Sequence, residues 1–77
     1  QVNLVEIDVP HDFPGYKRNV SELTLPMESV LVCVFRGEAT LIPRGDTRLA
    51  AGDQVIALTT PDLEDALRAS ILDPTAP

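Results

Sequence analysis

Few side chains of this 77-residue chain have the type and spacing that chemistry requires. His11 and Asp12 lie near Asp8 in a proline-bounded stretch, where they could form an acid–base or metal cluster, but we interpret them as solvated loop polarity. Cys33 lies among valines with no neighbouring base, which is typical of a small buried hydrophobic side chain. A single histidine and a single cysteine exclude the usual zinc spacings and an internal disulfide. We therefore predict no catalytic residue, no metal site and no cofactor within this domain.

Arg36 is the residue that we single out for binding. It directly follows the apolar run 30–35, so its guanidinium should emerge at the end of a strand, where it could make bidentate contacts to a carboxylate or phosphate. The alternative is a solvent-exposed arginine that pairs with Glu38. Lys17 and Arg18 could add positive potential, although a basic pair on a surface is usually only solvated.

The net charge of −6 argues against duplex DNA or RNA as a partner. All basic residues except Arg68 lie within residues 13–52, so an anionic ligand should bind to that middle segment. The sequence has no signal-peptide pattern and no apolar run near the ~20 residues needed to cross a bilayer. We expect a soluble piece from a reducing compartment, cut from a longer protein.

The apolar pattern predicts strands. Val5, Ile7 and Val9 alternate with acids, as in a strand with one face in water. Residues 30–35 are apolar throughout and rich in β-branched types, so this strand should be covered on both faces. Gly37 begins a two-residue turn that returns the chain as residues 39–42, and Pro43 should end that strand or lie on an edge. Residues 54–59 form the next strand.

Two helices are predicted. Asn19 should cap a helix of one or two turns over residues 19–23, with Glu22 reaching back to it. Thr60 and Pro61 should begin a C-terminal helix, and residues 73–77 should form a flexible tail. The apolar stripe of this second helix is Leu63, Ala66, Leu67 and Ile71. The order of elements predicts an α+β domain with a small, mostly antiparallel sheet of about four strands, a short helix after the first strand and a C-terminal helix.

This small domain should need a partner subunit. A domain of this size buries only ~60% of the surface of its unfolded chain, and it has neither a disulfide nor a metal to stabilise it. The strand 30–35 needs a cover on its second face, which a second copy in a two-fold dimer would provide. The alternative is a monomer whose two helices pack on opposite faces of the sheet.

Two Gly-Asp pairs at fixed distance before an apolar strand form the most informative pattern, Gly45-Asp46 and Gly52-Asp53. Other elements accompany it: Arg36-Gly37, Pro43, and upstream Gly15, Val20, Leu23 and Leu25-Pro26. Together they resemble the TrkA C-terminal domain, also called the RCK C-terminal domain, over about residues 4–71. The resemblance implies a single domain over residues 1–77, a fragment of a regulator of bacterial cation transport.

That resemblance also implies a function. Such a domain would be a non-enzymatic, ligand-sensing regulator of a potassium or other cation transport system, acting as a homodimer in the cytoplasm at the inner face of the membrane. Its partners would be a membrane transporter subunit or a covalently linked transporter, with a nucleotide-binding Rossmann domain ahead of it in TrkA-like regulators. In some family members a pocket at the dimer interface binds cyclic di-AMP. The matching positions here are Val30, Leu31, Val32, Arg36 and Pro43.

A second hypothesis follows from the residues alone. The continuous apolar character of residues 30–35 would also be explained by a purely structural dimerisation or docking module without a ligand of its own.

Overall fold

The computed structural model describes residues 1–12 and 19–73. The strands are β1 (Asn3–Asp8), β2 (Ser29–Arg36), β3 (Ala39–Leu41) and β4 (Gln54–Thr59), and helix α1 (Glu64–Leu72) follows them. They form one sheet in the order β1-β4-β2-β3, in which every neighbouring pair is antiparallel. The predicted α+β class and the four-stranded antiparallel sheet are confirmed.

Helix α1 covers one face of the sheet. Thr60 is extended, and Pro61 begins a 3₁₀ turn, Pro61–Leu63, that leads into the helix. Glu64 lies in the first turn of α1, near the positive end of the helix dipole. Two of the four predicted stripe residues, Leu67 and Ile71, are fully buried, Leu63 is half-buried and Ala66 is exposed. The helix therefore packs through a stripe that is narrower than predicted.

The predicted helix over residues 19–23 is only a 3₁₀ turn, Val20–Glu22. Its backbone bonds to another loop instead of continuing, since the Val20 N–H donates to the Thr47 carbonyl at 2.8 Å. Leu23 is already extended, with φ −79° and ψ 138°. The expected capping contact is present, because the Asn19 N–H donates to Glu22 Oε1 at 3.0 Å.

The sheet has one covered and one open face, because directly opposed residues in an antiparallel sheet share a face. The covered face packs against α1 in a core whose largest buried side chains include Ile7, Val34, Val55, Leu67 and Ile71. The open face consists of three rows across β1, β4 and β2. The rows are Leu4, Leu58 and Val30; Glu6, Ile56 and Cys33; and Asp8, Gln54 and Phe35.

The prediction that strand 30–35 is covered on both faces is wrong within this chain. Val30 is 59% exposed and Phe35 39% exposed, both on the open face. The only α-helix among residues 1–12 and 19–73 packs on the other face, so the alternative with helices on both faces is also wrong. The apolar open face therefore has no cover within the described chain.

The turns follow the glycine pattern. Gly37 has φ 59° and begins the two-residue turn that pairs Arg36 with Ala39, as predicted. Gly52 has φ 86°, a left-handed conformation that only glycine adopts easily. Strand β3 ends at Leu41, before Pro43. The predictions for Gly15, Lys17, Arg18 and most of the tail, residues 74–77, lie outside the described residues.

Candidate functional site

Arg36 and Asp53 form a bidentate ion pair. Arg36 Nε donates to Asp53 Oδ1 at 2.9 Å, and Arg36 Nη2 donates to Asp53 Oδ2 at 2.8 Å. The Arg36 side chain is 43% exposed, whereas the Asp53 side chain is 0% exposed. The acid that pairs with Arg36 is therefore the buried Asp53 and not Glu38, the partner that the alternative interpretation predicted.

Hydrogen bonds around this pair tie three segments together. Arg36 Nη2 also donates to the Arg48 carbonyl at 2.8 Å, and the Ala50 N–H donates to Asp53 Oδ2 at 2.8 Å. The backbone of the same loop bonds to the end of the first strand, because the Val9 N–H donates to the Asp53 carbonyl at 2.8 Å. The pair therefore joins the β2–β3 hairpin to the loop before β4 and to the residue that follows β1.

The pair keeps both groups charged. Burial raises the pKa of the Asp53 carboxyl, but hydrogen bonds from Arg36 and from the Ala50 N–H, together with the charge of Arg36, outweigh burial and hold that pKa below its usual value. The hydrogen bond to Asp53 raises the pKa of Arg36. Each charge is compensated by the other, and Arg36 Nη1 takes no part in the pair. The positive charge of Arg36 is therefore already balanced by Asp53. A bound anion could still accept a hydrogen bond from Nη1 of Arg36.

The five predicted ligand-binding residues do not lie on one surface. Val30 is on the open face, and Val32 lies at an irregularity of β2 and is 41% exposed. Leu31 is half-buried and packs against the core, and Pro43 is half-buried beyond the end of β3. Arg36 extends from the covered side of the sheet, where its partner Asp53 is buried. The structure thus exposes Val30 and Val32 but separates them from Arg36.

Sequence reasoning missed Asp53, which was interpreted only as part of a turn. By the two-residue period of a strand, Asp53 lies on the same face as Val55 and Ala57, which are buried, and a buried carboxylate needs a partner. Arg36, at the end of another predicted strand, is the available cation. The signal was therefore the position of Asp53 next to Gln54–Thr59, and it could have been found from the predicted strands.

The remaining chemical candidates do not form a cluster. His11 and Asp12 are exposed, and Asp8 Oδ1 accepts a hydrogen bond from Gln54 Nε2 at 3.3 Å. Among residues 1–12 and 19–73, no group of three or more His, Cys, Asp or Glu side chains could hold a metal ion. Cys33 is half-buried on the open face. Within the same residues, no helix has the length and apolar character to cross a membrane.

Comparison with known proteins gives relatives over most of the chain. It is 33% identical over 72 residues to the Trk system potassium uptake protein TrkA of Mycobacterium tuberculosis, an alignment that covers 94% of this chain and 33% of the relative. It is 35% identical over 65 residues to a TrkA homolog of Archaeoglobus fulgidus, covering 83% of this chain and 15% of the relative. The chain therefore spans a third or less of the length of these relatives.

A solved structure described as "Structure of RCK domain with cda" has the same fold. Its TM-score is 0.62 at 24% sequence identity, and the match covers 88% of this chain and 96% of the other. The family model of the TrkA-C domain matches residues 4–72. This chain, with its open four-stranded sheet and single covering helix, therefore belongs to the TrkA-C domain family.

Proposed function

We propose that this chain is a non-catalytic regulatory domain of a potassium or other cation uptake system. The observation that carries the proposal is the family match over residues 4–72, together with relatives that are Trk potassium uptake proteins. Such a domain would work in the cytoplasm at the inner face of the membrane. Its partner would be a transporter subunit, or a transporter covalently linked to it, and a Rossmann domain would precede it.

The open face supports action as a homodimer. Leu4 is 61% exposed and Val30 59% exposed, and they flank Leu58 in a fully apolar row. A symmetric contact would bury Leu4, Val30, Leu58, Ile56 and Phe35 of both copies. Covering these ten partly exposed side chains at about 1 kcal/mol each contributes about 10 kcal/mol in total, which lies within the roughly 4–15 kcal/mol that association costs. We therefore expect a weak, reversible dimer.

The dimer would sense a small anionic ligand, of which cyclic di-AMP is the first candidate. Val30 and Val32, which are exposed, would contact the ligand at the seam. Arg36, which is separated from them, would offer Nη1 to a phosphate as a second contact at the other end of β2. Leu31 would support Val30 and Val32 from the core side of β2, and Pro43 would act from beyond the end of β3. A ligand that binds one arrangement of the two subunits more tightly would shift the population toward it and so bias the transporter.

A thermal-shift and calorimetry series with cyclic di-AMP, ATP and NADH tests the ligand. A ligand that binds only the folded state at 100 times its Kd adds about 2.7 kcal/mol of stability, so the correct nucleotide should raise Tm clearly and selectively. Arg36→Lys keeps the charge but loses the bidentate geometry, and it should weaken nucleotide binding. If no nucleotide raises Tm, or if Arg36→Lys binds it unchanged, the pocket is wrong.

One observation favours a second candidate, a structural dimerisation module without a ligand. The charge of Arg36 is already compensated by Asp53. In that case the wild type would dimerise equally with and without each nucleotide, and its Tm would not change.

A further inference from the structure

We propose that two acidic side chains on the open face set the symmetry of the dimer, with the two-fold axis parallel to the strands. This inference rests on the proposed dimer. The acidic corner is defined as Glu6 and Asp8, which lie on β1 in the second and third rows of the open face. Every other position of that face is apolar or uncharged.

The acidic corner has a definite place, and the three rows of the open face, as far as the structure describes them, offer it no basic partner. Gln54 Nε2 donates to Glu6 Oε2 and to Asp8 Oδ1, at 3.3 Å each. None of the nine side chains in the three rows is basic. Strand β1 is at the edge of the sheet, so the acidic corner lies at one lateral edge of the open face. The apolar row of Leu4, Leu58 and Val30 lies at one end of the strands. Because of this asymmetry, different ways of stacking two copies differ in energy.

One way of stacking has its two-fold axis in the interface and perpendicular to the strands. That rotation keeps each strand over its own counterpart but reverses the rows. Glu6 would then face Glu6 of the second copy, and Asp8 would face Leu4 of the second copy. Stacked sheets lie about 10 Å apart, so the facing Glu6 carboxylates would repel each other in an interface that excludes water. Leu4 would also pack against the charged Asp8 instead of against an apolar side chain.

The other way has its axis parallel to the strands. That rotation keeps the rows but reverses the strand order, so β4 lies over β2 of the second copy and β1 lies over its β3. The apolar row of Leu4, Leu58 and Val30 then meets the apolar row of the second copy. The acidic corner lies at the rim opposite β3, where Thr40 shares a row with Asp8. The two Glu6 side chains are separated sideways by about three strand spacings of 4.8 Å.

Cross-linking distinguishes these arrangements because β1 and β3 are opposite edges of one sheet. A link between β1 and β3 through the open face would have to join two copies. In a Cys33→Ala background, the double variant Asp8→Cys/Thr40→Cys reports the axis parallel to the strands. The double variant Gln54→Cys/Leu58→Cys reports the perpendicular axis, which places Gln54 of one copy over Leu58 of the second copy and leaves Glu6 and Asp8 in place. Asp8 and Thr40 are exposed, and Gln54 and Leu58 lie on the open face outside the core, so the fold tolerates these changes.

The experiment treats the 77-residue chain with a bis-maleimide whose reach is about 10 Å, the spacing of stacked sheets, after sedimentation has verified that each variant forms the wild-type dimer. We expect Asp8→Cys/Thr40→Cys to shift from 8.3 kDa to twice that mass, and Gln54→Cys/Leu58→Cys to remain at 8.3 kDa. A dimer in which Gln54→Cys/Leu58→Cys cross-links and Asp8→Cys/Thr40→Cys does not would overturn the axis alone. A wild type that sediments as a monomer would overturn the proposed dimer and this inference with it.

Discussion

Replacing Arg36 by Met would leave a fully buried carboxylate without its counter-charge. The Asp53 side chain is 0% exposed, and two of its three hydrogen bonds come from Arg36. Breaking a buried ion pair by removing one partner costs about 3–5 kcal/mol. Arg36 is itself 43% exposed and the Ala50 N–H still binds Asp53, so we take the lower end, about 3 kcal/mol.

That loss is large for a domain of this size. Each kcal/mol lowers the Tm of a 60–100-residue domain by about 4–8 °C, so Arg36→Met should melt about 12–24 °C below the wild type. Urea denaturation followed by circular dichroism gives the free energy of unfolding directly. Arg68→Met is the matched control, since Arg68 lies on an exposed position of α1, and it should change stability by less than about 0.5 kcal/mol.

A double-mutant cycle separates the energy of the Arg36–Asp53 interaction from the other contributions of the Arg36 side chain to stability. Arg36→Met/Asp53→Leu should be more stable than Arg36→Met alone, because the buried charge is gone. We expect a coupling energy within the range of about 0.5–3 kcal/mol that contacting residues show. The reasoning is refuted if Arg36→Met unfolds within about 0.5 kcal/mol of the wild type, as surface substitutions do.

Three further predictions concern the pH dependence, a turn and the two faces of the sheet. Because the pKa of Asp53 is lower in the folded protein than the ~3.9 of an unfolded chain, its contribution is present above about pH 4 and is lost as the pH falls through the folded pKa. The stability difference between wild type and Asp53→Asn should therefore shrink in acid titrations, and a constant difference would contradict the assignment. Gly52→Ala should cost roughly 1–2 kcal/mol in urea denaturation because φ is 86°, whereas an unchanged midpoint would mean that the turn relaxes. Ile71→Ala in the core should lower the free energy of unfolding by about 2–5 kcal/mol. Leu4→Ala on the open face should weaken the dimer but leave the stability of a dilute, monomeric sample nearly unchanged. Equal losses of stability in the two variants would contradict the distinction between the covered and the open face.

Local patterns were sufficient for much of the fold. The hairpin at Gly37 was predictable because a two-residue turn with glycine first needs the positive φ that is observed. The C-terminal helix was predictable from Thr60 and Pro61 and from the spacing of Leu67 and Ile71. In each case the determining residues are neighbours in sequence.

The failures depend on contacts between distant residues. The turn at Val20–Glu22 bonds to residues 45 and 47, and no local signal specifies that attachment. The partner of Arg36 is 17 positions away and was not predicted. The irregularity of β2 between Leu31 and Cys33 decides which face each side chain takes, and a run of apolar residues does not reveal it. Without that irregularity Val30 and Arg36, six positions apart, would lie on one face of β2, whereas in the structure they lie on opposite faces.

The proposal that this domain acts as a dimer through its open face is tested most directly by sedimentation equilibrium over a range of concentrations. We predict a wild type that approaches twice its 8.3 kDa mass as concentration rises. Val30→Asp, which places a charge on a side chain that is 59% exposed in the single chain, should remain a folded monomer. A wild type that stays at 8.3 kDa at every concentration, or a Val30→Asp variant that dimerises as well as the wild type, would contradict the account.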